Sequence, residues 1–241
     1  MTENKMKEES PKTVSLSDEA AVKKVLTDTV FGLWEIVNNL TRLQPSKKEH
    51  YRVSIFGSAR IAPNTFAFDE VKRLAKALAE MGCDVVTGGG PGLMLAANEG
   101  AAAAQKSQNG SIGIRIDLPF EQEANPFVQQ VYEHQTFFTR LHHFVLASDA
   151  FVVTPGGIGT LLEASMIWQL LQVRHLKDVP LIFVGQMWHE LVDWASKHML
   201  NEASPLAKSE DISIATCLSD ADEAIAVLRE HHDRWLLANK A

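Results

Sequence analysis

Thr154-Pro155-Gly156-Gly157-Ile158-Gly159-Thr160-Leu161-Leu162-Glu163 is the stretch around which this chain is organised. The apolar run just before it, Ala150 to Val153, reads as a fully buried strand, and the apolar spacing of Ala164 to Val173 suits a helix. Pro155 stops the strand, and Gly156, Gly157 and Gly159 let the backbone turn without Cβ clashes. A glycine turn that enters a helix leaves unpaired N–H groups at the positive end of the helix dipole, a geometry that binds anions and phosphate above all. This reading puts Glu163 in the first helical turn, beside the position a phosphate would fill. Two accounts of Glu163 fit: a carboxylate that favours the dipole by about 0.3–1 kcal/mol, or a catalytic carboxylate held beside a phosphorylated substrate.

Outward from this stretch, strand and helix patterns alternate from Tyr51 onward, which predicts an α/β fold: a doubly wound, mainly parallel sheet with helices on both faces. Strands are expected at Arg52 to Phe56, Cys83 to Val86, Ser111 to Ile116, Val128 to Tyr132, Leu181 to Val184 and Ile212 to Thr216. Helices are expected at Phe68 to Met81, Leu93 to Ala104, Phe137 to Ala147 and Trp188 to His198. A last helix, Ala221 to Leu237, would be capped by Ser219 with Asp222 at its third position. The alanine-dense Leu93 to Ala104 can approach its neighbours closely. Three glycine-bearing turns follow strands: Gly57-Ser58, Gly88 to Gly92, and Gly156 to Thr160. In a sheet of this kind they gather at the carboxyl ends of the strands, where ligands bind.

Before this domain, residues 1–16 are polar and aperiodic and read as a mobile tail. Residues 17–48 read as a helix and linker: Ser17 as the cap, Asp18 and Glu19 in the first turn, then an apolar stripe of Val22, Val25, Leu26, Val30, Leu33, Trp34 and Val37. A stripe of that kind needs a partner surface, on the main domain (residues 49–241) or on a second subunit. Gln44 to Glu49, around Pro45, reads as a polar linker.

With 241 residues the chain can bury a large core without disulfide or metal support. Its two cysteines, Cys83 and Cys217, are expected to pack as small apolar residues, and cysteine poverty suits a reducing compartment. No run of about 18 apolar residues occurs, and the polar N-terminus does not resemble a signal peptide, so a cytoplasmic, soluble protein with no membrane partner is expected. The formal net charge of −7 argues against general binding to nucleic-acid backbones. It does not oppose a small phosphorylated ligand held by a local nest of N–H groups.

Gly88-Gly89-Gly90-Pro91-Gly92 lacks the Lys-Ser/Thr ending of a P-loop and the GxGxxG spacing of dinucleotide folds, which disfavours an ATPase or a dehydrogenase. It is read either as a ligand-binding turn or as a plain strand-to-helix turn. Met94, just inside the next helix, lines a base pocket or packs in the core. Arg140 falls in the first turn of its helix, where a cation opposes the dipole. That placement points to an anionic partner, a substrate phosphate or Glu163 itself. Adjacent His142 and His143 diverge by about 100° on a helix, and there is no HExxH, CxxC or GxSxG, so neither a metal site nor a serine hydrolase is expected.

Together, Gly88 to Met94, Arg140 and Pro155 to Glu163 resemble the LOG (Lonely Guy) family of nucleoside 5′-monophosphate phosphoribohydrolases, whose members are often mislabelled lysine decarboxylases. The resemblance runs from about Tyr51 to Val184 and takes in Gly57-Ser58-Ala59-Arg60 and the Leu118-Pro119 loop with Glu121, Gln122 and Asn125. It implies a Rossmann-like fold, a homodimer or larger homo-oligomer, and no metal or redox cofactor. It also implies hydrolysis of the N-glycosidic bond of AMP or a cytokinin riboside 5′-monophosphate. Arg140 and Glu163 would be the catalytic pair; Gly57, Ser58, Gly88, Gly89, Gly90, Met94, Gly156, Gly157, Gly159 and Thr160 would bind the substrate. Two positions depart from the family pattern: Leu141 stands where a lysine commonly follows the arginine, and Leu95 where longer members often carry glutamate. The rival reading is a non-catalytic carrier of a phosphorylated ligand on the same fold. A pyridoxal-phosphate lysine decarboxylase has no lysine in the glycine turns to support it.

Overall fold

A computed structural model describes residues 14, 15, 17–40, 50–104, 110–117, 123–201 and 203–239, with residues 34–40 described by their backbone alone. The chain divides into two units, Met1–Ser46 and Lys47–Ala241. The first carries helix α1, Glu19–Leu40. Its cap is Asp18 and not Ser17: the Asp18 Oδ1 accepts from Ala21 N at 3.1 Å, the bond that a capping carboxylate makes to the third helical residue. Val25, Leu26, Val30 and Leu33 of its apolar stripe are exposed, as is Phe31 beside it. The expected tail (except residues 14 and 15) and the Gln44 to Glu49 linker lie outside the described residues.

In the second unit the order is β1 (Arg52–Phe56), α2 (Phe66–Glu80), β2 (Asp84–Thr87), α3 (Leu93–Ala103), β3 (Ser111–Ile116), β4 (Gln130–His134) and α4 (Phe137–Ala147). It continues with β5 (Ala150–Val153), α5 (Ile158–Gln172), β6 (Leu181–Val184), α6 (Gln186–Met199), α7 (Ser209–Ile212), β7 (Ala215–Leu218) and α8 (Ala221–Asn239). Among the described residues the seven strands are all parallel, in the order β4-β3-β2-β1-β5-β6-β7.

Successive side chains of a strand point to opposite faces, and here both faces are apolar. Val53, Ile55, Val85, Val152 and Ile182 pack with Leu74 and Leu78 of α2, Ala97 of α3 and Leu228 of α8. On the other face Phe56, Val86, Phe151, Val153 and Phe183 pack with Phe144 of α4, Ile167 of α5 and Trp188 of α6. This is the expected Rossmann-like, doubly wound arrangement. The close approach of the small-residue helix α3 is to α2: a Cβ on Gly100 would strike the Lys72 carbonyl oxygen.

Several boundaries differ from expectation. The largest shift is in α5, which starts at Ile158 with Gly157 as its cap, so Glu163 is its sixth residue and lies in the second turn, not the first. The glycines at 157 and 159 do not delay the helix, because a helix entry tolerates them. Thr65 caps α2, accepting from Phe68 N at 3.3 Å, and so starts it earlier than Phe68. β4 begins two residues later than Val128. Ile212 ends the one-turn α7, so the last strand begins at Ala215. Asp220, not Ser219, caps α8: its Oδ1 accepts from Glu223 N at 3.0 Å, and Glu223 Oε2 accepts in return from Ser219 N at 2.8 Å. Cys83 lies just outside β2, fully buried, with burial pushing its thiol up to about 12. Cys217 lies in β7, and both thiols are free.

Candidate functional site

From β1 the chain moves outward through β2, β3 and β4, then crosses back to place β5 on the other side of β1. The strand order therefore reverses between β1 and β5, and the crevice beyond their carboxyl ends is where such sheets hold ligands. All three glycine turns meet there, with Ser58 as the joint. Ser58 N donates to Pro155 O at 3.0 Å, and Ser58 O accepts from Leu93 N at 2.8 Å. Below it, Thr154 Oγ1 donates to Phe56 O at 2.9 Å. The packing is tight enough to require glycine at two points. A Cβ on Gly57 would run into Thr154 Oγ1 and lie 2.9 Å from Leu93 Cβ; one on Gly92, at φ 68°, would strike Ser58 O.

The turn after β2 is held by a buried polar network. Gly89, at φ 70°, donates from its N–H to Thr87 Oγ1 at 2.9 Å, and its carbonyl accepts from Asn125 N at 2.9 Å. Asn125 Nδ2 donates to Gly90 O at 3.0 Å and to Asn98 Oδ1 at 2.9 Å. The Asn98 carbonyl also accepts from Thr87 Oγ1 at 2.7 Å, while its Nδ2 donates to Ser111 Oγ at 2.9 Å. Sequence reasoning passed over Thr87 and Asn98. The available signal was an amide on the inward face of an otherwise alanine-rich helix, where a buried polar group must find partners. Of the loop residues that the family resemblance brought in, Asn125 is part of this network; Leu118, Pro119, Glu121 and Gln122 lie outside the described residues.

Arg140 enters the crevice from the first turn of α4, whose cap Thr136 accepts from Thr139 N at 3.2 Å. Its guanidinium is fixed on three sides. Nη1 donates to Glu163 Oε1 at 2.9 Å, Nε donates to Ile114 O at 2.9 Å, and Cζ lies 5.1 Å from the centre of the Phe144 ring. Both side chains of the pair are nearly buried, at 12% and 11% exposure. Burial pushes the Glu163 carboxyl above the ordinary carboxylate range, with the Arg140 charge and hydrogen bond opposing it. Gly88 lies beside the guanidinium: a Cβ there would be 2.6 Å from Arg140 Nη2 and 2.7 Å from Met94 Sδ. Met94 also covers Gly90, so the arginine and the thioether meet over the glycine turn.

The third turn opens directly into α5. As the first residues of α5, Ile158, Gly159 and Thr160 have N–H groups with no carbonyl one turn back. Gly157 and Gly159 have open space where a Cβ would stand. Thr160 is buried and folds against Gly156, where a Cβ would collide with its side chain. Thr160 and Glu163 share the inward face of α5 with Ala164 and Ile167. The carboxylate thus lies one turn deeper than the helix entry, on the same side. A groove of about 420 Å³ adjoins this entry, lined by Gly156, Gly157, Ile158 and Leu161 and by Met187, Trp188, Glu190 and Leu191 of α6.

His143, one turn along α4 from Arg140, faces His134 at the end of β4, with His134 Nε2 and His143 Nδ1 2.9 Å apart. Burial lowers the pKa of both rings below the usual histidine range. Among the described residues no group of three His, Cys, Asp or Glu side chains could hold a metal ion, and no helix is long and apolar enough to cross a membrane.

Solved structures share this sheet. The molybdenum cofactor binding protein of the phototrophic bacterium Rippkaea orientalis is 19% identical, with a TM-score of 0.57 over 76% of this chain and 98% of its own. The Moco carrier protein of Chlamydomonas reinhardtii is 22% identical, with a TM-score of 0.56 over 77% of this chain and 99% of its own. DNA processing protein A of Helicobacter pylori, described for its single-stranded DNA binding mode, is 17% identical with a TM-score of 0.50 over 75% and 80%. At these identities the likeness is one of fold. No curated protein sequence matches this chain significantly. A family model described as "Possible lysine decarboxylase" matches residues 94–228, more than half of the chain and the span that holds Arg140, Glu163 and the α5 turn, and with that match the chain belongs to the LOG family.

Proposed function

We propose that this chain hydrolyses the N-glycosidic bond of a nucleoside 5′-monophosphate, AMP or a cytokinin riboside 5′-monophosphate, to give the free base and ribose 5-phosphate. The observation that carries this reading is the buried Arg140–Glu163 contact one turn below the glycine-bearing entry of α5. The phosphate docks on the backbone N–H groups of Gly156, Gly157, Gly159 and Thr160, with the Thr160 hydroxyl as a further donor. Gly57, Ser58, Gly88, Gly89 and Gly90 form the wall along the ribose, and Met94 lies against the base. Binding energy at the phosphate, remote from the scissile bond, fixes the ribose for reaction.

The C1′–N bond breaks through an oxocarbenium-like state, as in glycoside hydrolysis, and the oxygen of water bonds to C1′. Arg140 holds Oε1 of Glu163, so Oε2 takes the proton from that water; the departing base nitrogen takes a proton from solvent, and Glu163 returns its own to solvent, so that one water is consumed and Glu163 is restored. A carboxyl whose pKa is raised by burial is a better proton acceptor near neutral pH than a solvated one. Its charge also stabilises the positive ribose ring. Arg140 orients Glu163 and contacts the substrate.

The second reading, a carrier of a phosphorylated ligand, draws on the fold likeness to the two molybdenum cofactor proteins. One experiment separates the two: purified protein is incubated with a panel of nucleoside monophosphates and assayed for free base and ribose 5-phosphate. Release of base from at least one supports the hydrolase. Binding of ligand without base release from any of them overturns it in favour of a carrier.

A further inference from the structure

The inward stripe of α4 runs on past the end of the sheet. Phe144, Leu141 and Arg140 face the core from this helix, the first two buried and the third nearly so. Phe137 stands three residues before Arg140 and four before Leu141, and so shares their side of the helix. Arg140 Nε donates to Ile114 O in β3, and the Cα of Phe137 lies about 4.5 Å farther out along the helix axis. There the stripe leaves the core, and Phe137 is 49% exposed. Phe138, turned about 100° round the helix, lies off the stripe and is 84% exposed.

Phe137 therefore overhangs the crevice beside the Arg140 guanidinium. Met94 borders the same guanidinium, since Met94 Sδ and Arg140 Nη2 meet over Gly88. In the proposed reaction Arg140 and Glu163 serve C1′ of the ribose, and the base is joined to that carbon. The base consequently lies within about one ring width of the guanidinium, between the thioether and the phenyl ring. A half-exposed aromatic ring has a flat apolar face to cover, and every nucleobase offers a flat π-face to cover it.

We infer that Phe137 recognises the base: its ring stacks on one face of the base while Met94 lies against the other. The stack is made by the nucleotide and not by ribose 5-phosphate, so it tightens the substrate relative to the product and lets the product leave once the base has gone. The inference rests on the placement of phosphate and ribose given for the proposed function.

Equilibrium binding to the full chain tests it, on a Glu163→Gln background that holds the nucleotide without turnover. Phe137→Ala should weaken AMP binding about 5–150-fold, the range of one base–aromatic stack. Binding of ribose 5-phosphate, which has no base, should stay within about twofold. Phe137→Tyr should keep the AMP affinity, and Phe137→Leu, apolar but without a ring, should not. Phe138→Ala should leave the binding of both ligands unchanged. Equal weakening of AMP and ribose 5-phosphate, no weakening of either, rescue by leucine as complete as by tyrosine, or an equal loss at Phe138 would each overturn the inference, as would a failure of AMP to bind. Hydrolysis itself is read separately, as release of adenine from AMP by the natural chain: the expected binding pattern without release keeps the role of Phe137 and removes the hydrolase.

Discussion

Arg140 Nη1 and Glu163 Oε1 are 2.9 Å apart although the residues stand 23 positions apart on two different helices, and both side chains are nearly buried. Removing one partner of a buried pair leaves the other charge uncompensated, whereas an isostere that can still accept a hydrogen bond keeps the geometry. Glu163→Gln keeps an acceptor for Arg140 but has no carboxylate to take a proton. Turnover of AMP should fall about 10²–10⁴-fold while nucleotide binding survives. Steady-state kinetics with a separate binding titration check this, and near-normal release of adenine by the variant would remove Glu163 from the mechanism.

The same carboxyl gives stability a pH dependence. Burial raises the Glu163 pKa in the folded state. A raised folded pKa contributes stability that is complete below the unfolded value, near 4.3, and is lost as pH rises through the folded value. The Gln variant has no such term. The stability of the natural chain relative to Glu163→Gln should therefore decline as pH rises above the ordinary carboxylate range. Urea unfolding of both chains across that range measures it; parallel curves would contradict the raised pKa.

His134 and His143 have the opposite sign. Burial lowers the pKa of both rings, so the unfolded chain binds protons more readily than the folded one below about 6.5. Stability from this pair is complete above that pH and is lost as pH falls from it towards the folded values. The His143→Gln variant should show a shallower loss of melting temperature between neutral and mildly acidic pH than the natural chain. An identical slope would mean that the pair is not titrating.

Two glycines should respond differently to the same added methyl group. At Gly88 the atoms in the way are the ends of flexible side chains, Arg140 Nη2 and Met94 Sδ. Gly88→Ala should therefore shift the Nη2 end of the guanidinium without breaking its contact to Glu163, and lower turnover by about 10²-fold, with a smaller loss of stability than at a backbone obstacle. At Gly100 the obstacle is the α2 backbone at Lys72, which cannot step aside. Gly100→Ala should destabilise the fold by about 1–3 kcal/mol. Kinetics and thermal unfolding of both variants provide the comparison, and equal stability losses would refute the distinction.

Asn98 supports the turn from beneath. Asn98→Leu would leave the Thr87 and Ser111 hydroxyls and the Asn125 amide each short of a buried partner. An unsatisfied buried group costs about 1–3 kcal/mol. A loss of at least that size in denaturant unfolding is the expected result, and a neutral variant would show that the network carries no stability.

Local pattern alone was enough to set the doubly wound sheet and its glycine-bearing turns. Strand identity follows from short apolar runs such as Ala150–Val153, and sharp turns need glycines such as Gly92 that no other residue replaces without strain. The candidate residues Arg140 and Glu163 stood out because charge at those positions runs against, or adds to, the helix dipole. What pattern could not supply is distance. Where α5 begins depends on the Gly157 cap, and this moved Glu163 from the first turn into the second, onto the buried face beside Thr160. That Arg140 reaches Glu163, and that Asn98 joins Thr87, Ser111 and Asn125, depends on how α3, α4 and α5 lie across the sheet. Those crossings are decided by side-chain packing summed over both faces, a property of the whole domain and of no single stretch.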